Sequence, residues 1–428
     1  MLELIAVLFG TFIILLLIGW PVFLAMGLAV AAYAWWFAPN LPDIVVVQSM
    51  MSGLDKTDFT AIPFFFLAGA IMNQGGMSAR LLRLARSILA HFRGGLAHAN
   101  IGASMVFAGV SGSAVADVAA VGSVMIPAMK KEGYSGAYAA AVTSSSATIG
   151  LVIPPSIPMV IFGLFTGAPI GDLFLAGLLP GLAMGGFLLV ASALIARRRG
   201  YPASRWQGWR EIWDAFKASF FALLMPVVVV SGLVMGFATT SEIGAVAAFY
   251  AAFVSLFIYR ETTPLELARA LGEAAVDSAR VLIIIAVSGG FVWIIAYSGI
   301  ARELVAAITE TGLQGTMLLV LIAIVLLLAG TMLEPITLLV VVVPILVPVA
   351  LAGGVDLVHL GVVAILASSI GLVTPPVGIL LYITAAQAGS SAIDVIRESA
   401  PYLVALFALV IMVVLFPQLS LWLPSLSP

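Results

Sequence analysis

The 428-residue chain has no cysteine, three histidines and few charges, with Asp, Glu, Lys and Arg together making up 9% of it, where soluble domains carry about 25%. Without cysteine, disulfides, thiolate metal sites and iron–sulfur clusters are all excluded. His91, His98 and His359 fall at no metal-ligand spacing. A formal net charge of -2, with no basic patch interleaved with aromatics, sets nucleic-acid binding aside. The N-terminus MLELIAVLFG also lacks a basic stretch ahead of its apolar run, so the first helix is expected to stay in place and not be cleaved as a signal peptide. What the chain has in abundance is apolar surface. It is 63% hydrophobic, its mean hydropathy is +1.21, and runs of membrane-spanning length recur from end to end. The expected fold class is an all-α integral membrane protein.

The sequence repeats itself. IGLVIPP at 149–155 returns as IGLVTPP at 370–376, 221 residues later. At the same offset Ala108-Gly109 falls on Ala329-Gly330, Pro127 on Pro348, Gly133 on Gly354 and Pro180 on Pro401. Two copies of one unit, each with Gly and Pro breaks inside apolar segments, describe a secondary transporter. The copies divide near residue 210, giving 1–210 and 211–428.

In the first copy, scaffold spans are expected within 2–74 (near 2–19, 21–37 and 60–74), with a less apolar segment at 43–53. An arm at 79–93 puts Arg80, Arg83 and Arg86 on one stripe and leucines on the other, as in a helix lying in the membrane interface or presenting a solvated face. Residues 95–132 read as a re-entrant helical hairpin, with two short apolar arms around GVSGSAVAD at 109–117. A helix at 135–168 is broken where two successive prolines remove two amide donors. A span at 173–196 closes the copy before the polar linker GYPASRWQGWREIWD.

The second copy follows the same plan. Its scaffold spans lie within 217–297 (217–238, 241–259 and 277–297), then an arm at 300–313, a hairpin at 316–352 with its tip at GTMLEP, a broken helix at 357–388 and a span at 400–417. Each copy crosses the membrane an odd number of times, so the second is expected to be inverted relative to the first. Placing the loops at 75–95, 130–135, 197–217, 260–280 and 389–399 in the cytoplasm collects 16 of the 18 basic residues there and leaves Lys56 and Arg302 outside. The N-terminus is then periplasmic.

A helix broken inside a bilayer leaves carbonyls and amides that protein, water or a ligand must pair. The tips and breaks match up by copy, GVSGS with IGLVIPP and GTMLEP with IGLVTPP, each offering freed carbonyls, small hydroxyl residues and glycine. Such oxygen sets suit a weakly held monovalent cation such as sodium better than calcium, which needs several carboxylates. Half-helix N-termini at the same depth favour an anionic substrate. Asp117 and Glu334 are carboxylates at membrane depth and functional candidates for that reason, although Asp117 reads equally well as a local helix cap. The hydroxyl runs Thr143-Ser144-Ser145-Ser146 and Ser368-Ser369 line a substrate path or let helices pack closely. The substrate-facing candidates are Ser113, Asp117, Ser145, Thr331 and Glu334.

The stretch GVSGSAVADVAAVGSVMIPAMKKEGY at 109–134, with IGLVIPP and IGLVTPP, resembles the large membrane subunit of tripartite ATP-independent periplasmic (TRAP) transporters, and the resemblance covers essentially the whole chain. It implies an elevator-type transporter of the wider ion-transporter superfamily, driven by a sodium gradient in the bacterial inner membrane. It also implies a small four-helix membrane subunit and a periplasmic solute-binding protein that delivers an organic acid, such as a C4-dicarboxylate or sialic acid. Carried onto matching positions, the family's sodium sites fall on Ser111, Ser113, Gly150, Ile153 and Pro155 for one ion, and on Gly330, Thr331, Gly371 and Thr374 for another. Because no small-subunit helices precede Met1, the unfused form with a separate partner chain is expected. No organic cofactor is implied. The hairpin and break motifs contain no arginine to clamp a carboxylate, so a substrate is expected to rest on helix ends, amides and hydroxyls.

Three rivals are open to test. A dicarboxylate–sodium symporter of the same superfamily needs no binding protein. An intramembrane serine protease would use Gly109-Val110-Ser111-Gly112 as its nucleophile turn and needs a histidine base. A channel would lack a reason for two closed hairpins.

Overall fold

The computed structural model describes residues 2–39, 42–55 and 57–427. Helices account for nearly all of it, and each forms where the apolar runs are punctuated by capping residues, glycine or proline. The first half contains α1 (Leu2–Leu17), α2 (Val22–Phe37), α3 (Asp43–Ser52), α4 (Ala61–Gln74), α5 (Met77–Leu89), α6 (Gly95–Ser111), α7 (Ala114–Lys131), α8 (Gly136–Ala147), α9 (Ile157–Thr166) and α10 (Ile170–Arg199). The second half contains α11 (Trp209–Val234), α12 (Thr240–Phe253), α13 (Pro264–Ser298), α14 (Ile300–Thr311), α15 (Gly315–Gly330), α16 (Pro335–Ala352), α17 (Leu357–Gly371), α18 (Ile379–Ala388), α19 (Ala392–Leu415) and α20 (Gln418–Leu421). By length and composition, six helices among the described residues can each cross a membrane: α10, α11, α12 with its continuation to Tyr259, α13, α16 and α19. The chain is a multi-pass, all-helical membrane protein.

The 221-residue offset of the sequence recurs in the element boundaries. Ala114–Lys131 maps onto Pro335–Ala352 residue for residue, and α8, which begins at Gly136, maps onto α17, which begins at Leu357. The caps match as well. Ser135 accepts a hydrogen bond from the Tyr138 amide at 3.1 Å, and its partner position Asp356 accepts one from the His359 amide at 2.9 Å, satisfying donors that the helix itself cannot pair.

Three parts depart from the expected plan. Residues 260–280, expected as a cytoplasmic loop ahead of a span at 277–297, are mostly helix, because α13 runs unbroken for 35 residues from Pro264. The reason is local. Thr263 and Glu266 form a reciprocal capping box, with Thr263 N to Glu266 Oε2 at 2.7 Å and Glu266 N to Thr263 Oγ1 at 3.3 Å, and ELARALGEAAVDSAR contains nothing that stops a helix strongly. The corresponding part of the first half is divided into α3 and α4. There Gly53 meets Gly289 of α13, where an added Cβ would lie 3.4 Å from the Gly289 Cα. The polar linker likewise gives way to helix at Trp209. The arm α16 is long enough to span by itself, whereas a short arm was expected. Lys56, placed outside by the charge rule, lies outside the described residues.

The core lies around the two broken helices. Every residue from Tyr138 to Ala147 in α8 and from His359 to Gly371 in α17 is buried. Such enclosure demands internal partners for polar side chains, and the hydroxyl run supplies them: Asn100 Nδ2 donates to Thr143 Oγ1 at 2.7 Å and Ser104 Oγ to Ser146 Oγ at 2.9 Å, tying α6 to α8. A second, smaller apolar cluster joins α1 and α2 to the C-terminal half of α13 and to α16 through Leu8, Phe12, Met26, Phe291, Val341 and Ile345. The arm α5 is clipped to the outer helices. Arg83 makes a bidentate pair with Glu211 at 2.8 and 3.0 Å, and Arg80 pairs with Glu261 at 2.7 Å while stacking 3.9 Å over the Tyr259 ring.

Candidate substrate and ion site

Both hairpin tips lie against the breaks with which the sequence paired them. In the first half, α6 ends at Gly112 with φ of 58°, a left-handed turn that suits glycine, and Ser113 caps α7 through the Ala116 amide at 3.4 Å. A Cβ added at Gly112 would stand 3.2 Å from the Ile157 amide nitrogen and 3.5 Å from the Pro155 carbonyl oxygen; one added at Gly109 would stand 3.4 Å from the Pro154 oxygen. Among the described residues, the carbonyls of Val152, Ile153, Pro154 and Pro155 accept no hydrogen bond. Two of these freed oxygens therefore face the tip.

The second half is tighter. A Cβ on Gly371 would lie 2.3 Å from the carbonyl carbon of Gly330, and one on Gly330 would lie 2.9 Å from the Ser368 oxygen, so tip and break meet backbone to backbone. The Gly378 amide donates to the Thr331 oxygen at 3.3 Å, which pins the tip to the far side of the break. The hydroxyls of Thr331 and Thr374 donate to the carbonyls of Leu328 and Ile370 at 2.8 and 2.7 Å, leaving their lone pairs available as ligands. The carbonyls of Val373, Thr374 and Pro375 accept no hydrogen bond among the described residues. Pro154–Pro155 and Pro375–Pro376 are both cis.

A cavity of about 440 Å³ opens between the two halves. Gly112 to Ala116 from the first tip, Leu151 and Ile157 from the first break, Glu334 to Ile336 from the second tip and Leu372 and Ile379 from the second break line it, with Phe66 of α4 and Asp277, Arg280 and Val281 of α13. Of the five substrate-facing candidates, Ser113 and Glu334 line this cavity, and Asp117, Ser145 and Thr331 do not. Asp117 is fully buried, its carboxylate set against Gly150, where a Cβ would lie 2.0 Å from Oδ2. Ser145 is enclosed within α8. Glu334 occupies the cap position of α16 that Ser113 occupies in α7, and Thr337 Oγ1 lies 3.5 Å from its Oε1. Ile153 packs against Gly181 on α10. The Ser111 side chain lies outside the described residues.

The sequence reading missed one feature of this cavity, its arginine. Arg280 comes from α13, outside the hairpin and break motifs, and pairs through Nη1 with Asp277 Oδ1 at 2.9 Å while its side chain stays 74% exposed. Among the described residues, no hydrogen bond brings His98 or His359, the two bases the rival protease would draw on, to Ser111. His98 stands about 20 Å along α6 from Ser111 at 1.5 Å per residue, and His359 is bonded to Ser420 at 3.0 Å. Nor do three or more His, Asp or Glu side chains gather as metal ligands among the described residues.

Paired tips and breaks around a cavity between the two halves are the build of a membrane permease. Residues 9–419 match the family model described as the tripartite ATP-independent periplasmic transporter, DctM component. The chain is 35% identical over 434 residues to the C4-dicarboxylate TRAP transporter large permease protein DctM of Rhodobacter capsulatus, covering 98% of each. It is 34% identical to the isethionate TRAP transporter permease protein DctMQ of Oleidesulfovibrio alaskensis, with 97% of this chain matching 66% of that one. In fold it is similar to the Alcanivorax borkumensis YdaH transporter, with a TM-score of 0.63 and 14% identity over 89% of this chain and 87% of that one. The chain belongs to the DctM family, the large permease subunits of TRAP transporters.

Proposed function

We propose that this permease imports an organic acid across the bacterial inner membrane, coupled to sodium, by an elevator movement of the hairpins and broken helices against the outer helices. The observation that carries the reading is the convergence of both tips and both breaks on one cavity, with freed carbonyls and hydroxyls gathered beside it. Oxygen sets of this kind, poor in carboxylate, fit a monovalent cation. The residues that would hold sodium are Ser111, Ser113, Gly150, Ile153 and Pro155 in the first half, and Gly330, Thr331, Gly371 and Thr374 in the second. The ion supplies positive charge beside an anionic substrate, and its gradient supplies the driving force.

Membership in a tripartite family favours a small membrane subunit and a periplasmic solute-binding protein over a symporter that works alone. In this reading the two copies are inverted with respect to each other and the N-terminus is periplasmic. C4-dicarboxylate and isethionate, in the names of relatives, share an anionic oxygen head on a small polar body, and an organic carboxylate or sulfonate is the proposed cargo class. The test is uptake of labelled succinate, N-acetylneuraminate and isethionate by cells holding the permease with its partner subunit and binding protein. Uptake that collapses when choline replaces sodium at constant membrane potential supports the reading, and uptake that persists undiminished leaves protons as the coupling ion.

A further inference from the structure

We infer that Arg280 is the cation that grips the acid head of the transported anion, and that it does so at one end of the elevator stroke. This rests on the function proposed above. Among the described residues lining the cavity, Arg280 is the one basic side chain, and Asp277 and Glu334 are the acidic ones. The two carboxylates repel an entering anion, and the guanidinium is the full side-chain positive charge among these lining residues that attracts it. Asp277 occupies one guanidinium nitrogen, at 2.9 Å. Nε and Nη2 remain, the edge of the fork that binds a carboxylate or sulfonate through two parallel hydrogen bonds.

The restriction to one end of the stroke follows from where the arginine sits. Arg280 belongs to α13, an outer helix, while the tips that line the opposite wall belong to the unit proposed to move. The same position in the first copy, 221 residues earlier, is Phe59, and that of Asp277 is Lys56. Phe59 is buried and packs on the Phe165 ring at 5.9 Å. If inverted copies exchange roles between the two facing states, the cation is present in one state and an aromatic ring replaces it in the other. Arg280 follows Arg260 and Arg269, whose density places this end in the cytoplasm. A ligand draws a carrier toward whichever state offers it the additional contact, so the loaded permease is biased toward the cytoplasm-facing state. Asp277, held on Nη1, competes with the anion for the charge of the same guanidinium.

The full chain in lipid nanodiscs, with sodium present, is titrated with succinate, N-acetylneuraminate and isethionate, and thermal stabilisation by sodium alone is measured beside it. Arg280→Gln is expected to weaken anion binding about tenfold to a hundredfold, the usual range for losing a charged hydrogen-bonding partner, with the sodium stabilisation unchanged. Arg280→Lys should fall between. Asp277→Asn removes the competitor and should tighten binding by up to about fivefold, in keeping with a solvent-exposed pair, an outcome that a merely structural role for Arg280 does not produce. Wild-type affinity in Arg280→Gln overturns the assignment and leaves the transport reading standing. A wild-type protein that binds none of the three anions overturns the anion reading of the cavity and this assignment with it.

Discussion

Tip and break meet backbone to backbone at Gly330 and Gly371, and that contact gives the sharpest test of the proposed ion site. Gly371→Ala adds a single methyl group. In the present geometry its carbon would lie 2.3 Å from the Gly330 carbonyl carbon and 2.6 Å from both the Gly330 Cα and oxygen. Ordinary carbon–carbon contact needs about 3.5 Å, so the second tip must withdraw from the break by roughly 1 Å. Backbone on both sides means that no rotamer change can absorb the clash, and overpacking of this kind costs about 1–3 kcal/mol. The two hydroxyls at stake, Thr331 and Thr374, lie on opposite sides of that contact. Their separation would rise with it, and losing one ligand is expected to raise the sodium concentration for half-maximal effect at least tenfold, about 1.4 kcal/mol. The assay is sodium-dependent thermal stabilisation of the purified protein followed by uptake. Gly150→Ala is the instructive comparison, because its methyl would meet the Asp117 carboxylate, 2.0 Å away at Oδ2, and not backbone. Shortening Asp117 to Ala in the same chain should relieve that clash, whereas no side-chain change relieves Gly371→Ala. Unaltered sodium dependence in Gly371→Ala would refute the argument that this contact sets the ion site.

Glu334→Gln keeps size and hydrogen bonding and removes the charge; since Glu334 lines the cavity with Arg280, uptake is expected to fall at least tenfold, about 1.4 kcal/mol, with binding-protein association intact, and normal uptake would reduce the residue to a helix cap. The arm α5 should loosen in acid. Arg80 holds the carboxyl of Glu261 below its ordinary value of 4.5. This contact therefore contributes fully above that pH and is lost as pH falls through the lower value of the folded state. Amide hydrogen exchange across residues 77–89, corrected for its intrinsic pH dependence, should show less protection at about pH 3 than at about pH 6, and Arg80→Ala should shrink the difference; equal protection at both would show that packing, not charge, seats the arm.

Much of the fold was legible because membrane helices leave coarse, strong signals. Hairpin arms at 95–132 and 316–352 and breaks at 149–155 and 370–376 were set by glycine and proline, whose backbone restrictions act locally and need no knowledge of the neighbours. The repeat added a second reading of each element. What failed was the boundary at 260–280, where charge density suggested a loop. Charge bears on which side of the membrane a segment occupies, not on whether its backbone is helical, and the capping box at Thr263 and Glu266 starts a helix that carries those charges.

The site was legible in its backbone and not in its side chains. Pairing each tip with its own break needed only the repeat, and the glycine contacts at 112, 330 and 371 follow that pairing. Ser145 illustrates the limit. A serine beside a break looks like a ligand in sequence, yet every residue of α8 from Tyr138 onward is enclosed, and which face of a buried helix meets a cavity depends on helices far away in the chain. Arg280 was missed for the same reason. It lies outside the motifs, on a helix whose extent was misjudged, and its meaning comes from facing tips that are 164 or more residues earlier and 54 later in the chain. One signal did point to it. In VDSARVLIIIAV it is the last charge before an apolar run, the position where a cation stands at the edge of the membrane and can serve a water-filled cavity on one side of it. A transporter that must release its cargo as readily as it binds it has reason to place its cation there, with a carboxylate one helical turn away, and not at the enclosed centre, where an ion pair broken at each cycle would leave a buried charge at a cost of about 3–5 kcal/mol.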